Sequence, residues 1–196
     1  MAYSDYTSLK TIEKEFGLKR QKIKLFQKIL PTEPSPRLLL DLEDSQKIGI
    51  FTEKAKSEFL IVPILKEVWR NNQDTVALFS GIPLEVDVKG LGGYCDFILS
   101  KTPDSLELTA PIFCIVEAKN RTLEEGFAQC AAEMLGARLF NEQNQQILQT
   151  IYGTVTNGYE WCFLKLENNL VTVDEDRYAL QQVEQLLGIF QLIINS

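Results

Sequence analysis

The 196-residue chain contains no histidine. That excludes Ser-His-Asp and Cys-His catalysis, histidine-based zinc sites and histidine-dependent nuclease chemistry. Acid–base or metal chemistry must then use carboxylates, lysine, tyrosine or backbone, and carboxylate oxygen is the ligand type for Mg²⁺ or Mn²⁺. Cysteine is sparse. The four (Cys95, Cys114, Cys130 and Cys162) form no CxxC pair and lie in apolar or helical segments, which reads as reduced core thiols in a cytoplasmic protein. No apolar run approaches the roughly 20 residues of a membrane helix, and the first residues, MAYSDYTSLK, lack the apolar stretch of a signal peptide. The expectation is therefore no membrane association. Positive charge is also in deficit, with a net charge of −7, which argues against strong non-specific nucleic-acid binding.

The charge is unevenly spread. Residues 1–28 hold seven Lys/Arg against three acids, a net of +4, leaving −11 for the rest. A basic arm on an acidic body can touch phosphates, although such a run is more often a solvated face.

What remains is ordinary for a globular chain, 45% hydrophobic and 24% charged. Leu9, Ile12 and Phe16 predict a short amphipathic helix stopped at Gly17. Ser35-Pro36 predicts a helix start with Ser as cap and Pro in the first turn. Residues 1–48 are expected to form an N-terminal extension of short helices, and residues 49–196 the main domain. In that domain a helix is predicted over 53–71, interrupted at Pro63, where it should kink or shift its bonding. Strands are predicted at 75–88, 94–100 and 111–118, the last an apolar run of the kind found in buried central strands. A helix rich in small residues follows over 123–141. A hairpin is expected around Asn157-Gly158, then a strand at 170–173 and a final helix over 177–194. The order predicts an α/β (α+β) fold, a central mixed sheet flanked by helices.

Two acids sit where apolar residues are expected. Asp96 interrupts GYCDFILS, and in IFCIVEAKN five apolar residues lead to Glu117 and Lys119. Positions 117 and 119 share strand parity, so both side chains leave one face. Buried carboxylates are costly without positive compensation, and two that meet raise each other's pKa unless a cation lies between them. A divalent metal together with Lys119 resolves that conflict. Asp87-Val88-Lys89 is a similar acid-x-Lys, but it precedes Gly90 and lacks the apolar lead-in, so it reads as a solvated strand end. On the 53–71 helix, Ala55, Val62, Leu65 and Trp69 are helical neighbours of Glu58 and form the apolar stripe, which points Glu58 inward, the alternative being a surface Glu at the stripe's margin.

An Asp, an interval of about twenty residues and then Glu-x-Lys on the next strand resembles the PD-(D/E)XK (restriction endonuclease-like) nuclease superfamily. More narrowly, SGIPLEVDVKGLGGYCDFILS, PIFCIVEAKN, FAQCAAEM and IYGTVTNGYEWCFLKL are similar to a bacterial group of that fold prominent in cyanobacteria, over roughly residues 50–190. The resemblance implies a restriction endonuclease-like core and a Mg²⁺- or Mn²⁺-dependent deoxyribonuclease. Asp96, Glu117 and the Ala118 carbonyl would hold the metal, and Lys119 would orient or activate the attacking water. Glu58 on the preceding helix would join the site as a further acid and metal ligand, and Gln129 on the following helix would assist. Cys95 stands where the motif's proline would be. DNA is the implied substrate. The alternative is a catalytically idle domain of the same fold, acting as a binding or protein-interaction module. A homodimer, or a partner protein supplying the DNA contacts, also stays open.

Overall fold

The computed structural model describes residues 2–196. Eight strands form one mixed sheet: β1 (Lys19–Ile23), β2 (Ala77–Glu85), β3 (Gly92–Ser100), β4 (Ile112–Ala118), β5 (Thr150–Thr156), β6 (Glu160–Glu167), β7 (Leu170–Asp174) and β8 (Tyr178–Ala179). Their order is β1-β7-β6-β5-β4-β3-β2, with β8 added beside β6. The β4–β5 and β1–β7 pairs are parallel and the others antiparallel.

Six α-helices flank the sheet: α1 (Leu9–Phe16), α2 (Pro36–Ser45), α3 (Glu53–Lys56), α4 (Val62–Arg70), α5 (Phe127–Gln143) and α6 (Val183–Ile194). Ser35 caps α2 by accepting the Leu38 N–H, with Pro36 in the first turn. Helix α5 covers one face of the sheet, packing Ala128, Ala131, Ala132 and Met134 against Ile98, Ile115 and Val155. Helices α4 and α6 cover the other, packing Ile64, Leu65, Leu186 and Phe190 against Phe97, Val116 and Phe163. Strand β4 lies between β3 and β5 with both faces covered, so every one of its residues is buried. This is why it reads as a continuous apolar run rather than an alternation.

Residues 1–48 are not an appendage, which corrects the expectation of a separate extension. Strand β1 adds to the sheet edge in parallel with β7. Tyr3, Tyr6, Ile12 and Leu18 belong to the core under α5, and Phe26 and Leu38 to the opposite core.

The β5–β6 hairpin is closed by Asn157 and Glu160, with Gly158 at φ 86 in the first central turn position. Only glycine adopts that conformation without penalty. Asn157 stands just before it, its side-chain oxygen accepting the N–H groups of Tyr159 and Glu160.

Between α3 and α4 the chain makes a π-helical turn, Ser57–Ile61. Pro63 has no N–H to give the Phe59 carbonyl, and the Ser45 hydroxyl donates to that carbonyl instead, at 2.7 Å. The interruption anticipated at Pro63 thus takes the form of a wide turn that joins two α-helical segments out of phase.

Candidate functional site

Glu117 lies in the last rungs of β4, and Lys119 follows it. The Lys119 N–H donates to the Thr156 carbonyl at 2.8 Å, extending the β4–β5 ladder past the strand end. The two residues therefore keep the strand parity that puts their side chains on one face. Gly126 brings the start of α5 close. A Cβ there would lie 2.5 Å from Val155 Cγ1 and 3.0 Å from Lys119 Cγ, so a larger residue would push α5 off the lysine stem.

After a register shift between Leu99 and Ser100, strands β3 and β4 pair regularly from Leu99 opposite Cys114 to Phe97 opposite Val116. On the next rung Asp96 would face Glu117, and there the strands part. The Asp96 carboxylate accepts the Ala118 N–H at 2.8 Å, replacing a backbone acceptor. A strand residue's N–H and C=O leave along the same edge, so the Ala118 carbonyl is directed into the same gap.

The polar chain runs inward from there. Lys119 Nζ donates to Glu117 Oε1 at 2.5 Å and to Gln129 Oε1 at 3.0 Å, and Gln129 Nε2 donates to Glu133 Oε1 at 3.0 Å. Glu117 and Glu133 are buried, 1% and 0% exposed. The Oε2 atom of each is buried without a hydrogen-bond partner.

The electrostatics follow from one cation among three acids. Burial, and then the Asp96 charge, push the Glu117 carboxyl up to about 7, against the pull of Lys119. Burial and then the Glu117 charge raise Glu133 well above the usual carboxylate range. Burial also raises Asp96, although the Ala118 N–H and Lys119 oppose it. Burial alone would lower Lys119, but the Glu117 charge and hydrogen bond outweigh it and the net shift is upward. The lysine is therefore a firm cation. The surplus carboxylate charge must be balanced by protons or by a further cation.

Glu133 escaped the sequence reading. Its signal was present: it is the only charged residue between Glu125 and Arg138, and it follows Gln129 by one helical turn. Replacing Glu133 with Gln is expected to raise the melting temperature of the metal-free protein at pH 8. The amide mimics the protonated acid, keeps an acceptor for Gln129 and removes one of the mutually repelling charges. Thermal denaturation checks this, and a lower melting temperature would mean that the Glu133 charge is needed.

No family model matches this chain, and no curated protein does. The site rests on its own geometry.

The structure thus brings Asp96, Glu117, Ala118, Lys119 and Gln129 together. It does not bring Glu58, which corrects the expectation that Glu58 points inward. Its side chain is 52% exposed and lies 3.8 Å from Lys54. The expectation extended the stripe of α4 backwards at 3.6 residues per turn, and the π turn breaks that phase. The buried positions Leu60, Ile61, Ile64 and Leu65 align across the wide turn with Lys56 instead, and Lys56 Nζ donates to the Asn120 carbonyl beside the site. Glu53, at the start of α3, is the helix acid whose charge reaches Lys119. Glu58→Ala is expected to change stability by no more than about 0.5 kcal/mol, as for other exposed pairs. A loss well beyond that in denaturant titration would return Glu58 to the core.

Asp87 and Lys89 are both exposed, as expected of a solvated strand end. All four cysteines are free and buried. Among the described residues no helix is long and apolar enough to cross a membrane.

Proposed function

We propose that this chain is a metal-dependent deoxyribonuclease of the PD-(D/E)XK type, with a restriction endonuclease-like core, hydrolysing phosphodiester bonds in DNA. The observation that carries the reading is the surplus of buried carboxylate around a single lysine, where α5 meets the fork between β3 and β4. Oxygen donors of this kind suit Mg²⁺ or Mn²⁺, which commonly bind through one or two carboxylates and complete their shell with water. Asp96, Glu117 and the Ala118 carbonyl are the groups that would hold the ion. When bound, such an ion polarises a phosphate and lowers the pKa of water.

The chain's own residues have defined tasks. Lys119 presents a cation beside the acids, where it stabilises the negative charge that develops on a phosphate under attack. Gln129 holds the lysine amino group from the α5 side. Glu133 fixes the Gln129 amide, and so sets which Gln129 atom faces the lysine.

The test is nicking of plasmid and branched DNA in Mg²⁺ and in Mn²⁺, with Glu117→Ala beside the wild type. Cleavage by the wild type that is lost in Glu117→Ala is the expected result. A wild type that cuts no DNA with either metal would sink the proposal.

A second reading keeps the fold without the chemistry, as a binding or protein-interaction module. Two observations favour it. Among the described residues no three Cys, Asp or Glu side chains are grouped so that they could hold a metal ion. Lys119 also already neutralises Glu117.

A further inference from the structure

A cleft of about 510 Å³ opens at the same end of the sheet as the carboxylates, some strands away. The strand directions fix that placement. Strands β4 and β5 are parallel, β7 runs with β5 because both are antiparallel to β6, and β1 is parallel to β7. The C-terminal ends of all four lie together, and Glu117 and Lys119 mark that end on β4.

Leu9, Phe127 and Val173 give the cleft apolar walls, and Arg20, Lys22 and Arg177 bring three cations to it. The basic excess of residues 1–28 is thus concentrated on β1, a strand exposed along its whole length. Two of the cations have carboxylate partners, Arg20 with Glu13 and Arg177 with Glu124, in pairs open to solvent. Such pairs exchange for another anion at little cost. The Glu124 carboxyl, which also lines the cleft, is lowered by a backbone hydrogen bond and then by Arg177, with the Lys22 charge the smallest contributor. Asp174 also lines the cleft, but it is 1% exposed and accepts from the N–H groups of Leu25 and Asp176 and from the Tyr178 hydroxyl. Its oxygens are committed to holding the chain.

We propose that this cleft binds a nucleoside monophosphate unit, with the phosphate on Lys22 and Arg177 and the base against Phe127 and Leu9. Arginine and lysine are the side chains that take phosphate oxygens. An aromatic wall accepts the π-face of any base. The volume lies within the range of roughly 300–1,000 Å³ typical of small-ligand pockets. The unit comes from a free nucleotide or from one residue of a single strand. Phe127 and Gln129 are two positions apart on α5, so the first turn of that helix stands between the cleft and the lysine site. The binding itself requires neither metal nor cleavage.

Binding is measured in EDTA, by calorimetry with deoxyadenosine monophosphate and by anisotropy with a labelled single-stranded oligonucleotide. The proteins are the wild type, Lys22→Ala/Arg177→Ala and Glu58→Ala. The double variant replaces two exposed side chains, and its fold is checked by thermal melting. It is expected to weaken binding by about tenfold or more, and to flatten the salt dependence of oligonucleotide binding by about 0.7 per lost phosphate contact. Glu58→Ala, exposed and apart from both the cleft and the lysine site, is expected to bind like the wild type. Mononucleotide binding that is lost in the double variant identifies a free nucleotide as the source, and oligonucleotide binding alone, lost in the same way, identifies a strand. Both results support the cleft, even if the wild type never nicks DNA, an outcome that sinks only the nuclease reading. No binding of either probe by the wild type, or equal binding by the double variant, overturns the inference.

Discussion

Replacing Lys119 with methionine is expected to abolish metal-dependent cleavage of DNA and to destabilise the metal-free protein strongly at pH 8 but little at pH 5. Its ammonium bridges Glu117 and Gln129 at 2.5 and 3.0 Å. Methionine keeps most of the stem's volume and removes the charge, so Glu117 is left facing Asp96 and Glu133 in a desolvated place. Removing one partner of a buried ion pair costs on the order of 3–5 kcal/mol. Glu117 can avoid part of that cost by taking up a proton, and its pKa, already near 7 with the lysine present, rises further without it. At pH 5 the carboxyl is protonated in wild type and variant alike, and the two converge. A divalent ion that binds only the folded form narrows the gap at pH 8 by mass action, but it does not replace the charge that Lys119 presents to the phosphate. The paired measurement is thermal melting at both pH values, with and without Mg²⁺, beside plasmid nicking on the same preparation. Cleavage at the wild-type rate by Lys119→Met would remove the lysine from the chemistry. A wild type that never nicks, together with a variant whose stability metal does not restore, would make Lys119 a structural bridge.

Some of this architecture was legible because the local signals agreed with the packing. Ser35-Pro36 started a helix where expected, and the apolar run 111–118 became a strand buried on both faces. The candidate site was legible where an acid broke an apolar strand. Asp96 and Glu117 stood out for that reason, and strand parity carried the argument on to Lys119. Three features were hidden for physical reasons. Glu58 was placed by extending a helical period through Pro63, and a period cannot be carried through a π turn. Glu133 lies on a helix buried on nearly all sides, so, although it is a lone acid in that run, no contrast of polar and apolar faces told which way it points. Strand β1, KRQKI, is exposed at every position. It joins the sheet through backbone hydrogen bonds, and the alternation of Ile23 and Leu25 with lysines is only a weak strand signal in the side-chain pattern, which is why residues 1–48 read as an extension.

Mg²⁺ or Mn²⁺ is expected to raise the melting temperature substantially at pH 8 and scarcely at pH 5. The Glu117 carboxyl sits at about 7 in the folded protein against 4.5 ordinarily. Between those values the folded state holds a proton that the unfolded state has released. Through Glu117 the metal-free protein therefore loses stability as pH rises from about 4.5 to 7, and this contribution levels off above, because stability falls with pH wherever the native state binds more protons. A shift of that size corresponds to about 3 kcal/mol. Burial moves Asp96 and Glu133 in the same direction and adds to the slope. A cation at these oxygens competes with those protons. Below pH 5 it must displace the Glu117 proton and gains little, whereas above pH 7 it meets an ionised Glu117 and relieves its repulsion by Asp96. The metal increment should therefore grow over the interval in which the metal-free protein weakens. Asp96→Ala should lose most of it, since one donor is gone and Glu117 is less repelled to begin with. Melting curves from pH 5 to 8.5 in EDTA, Mg²⁺ and Mn²⁺ resolve both effects. An equal metal shift at the two extremes of pH, or an undiminished shift in Asp96→Ala, would place the ion elsewhere and leave the buried acids to be balanced by protons alone.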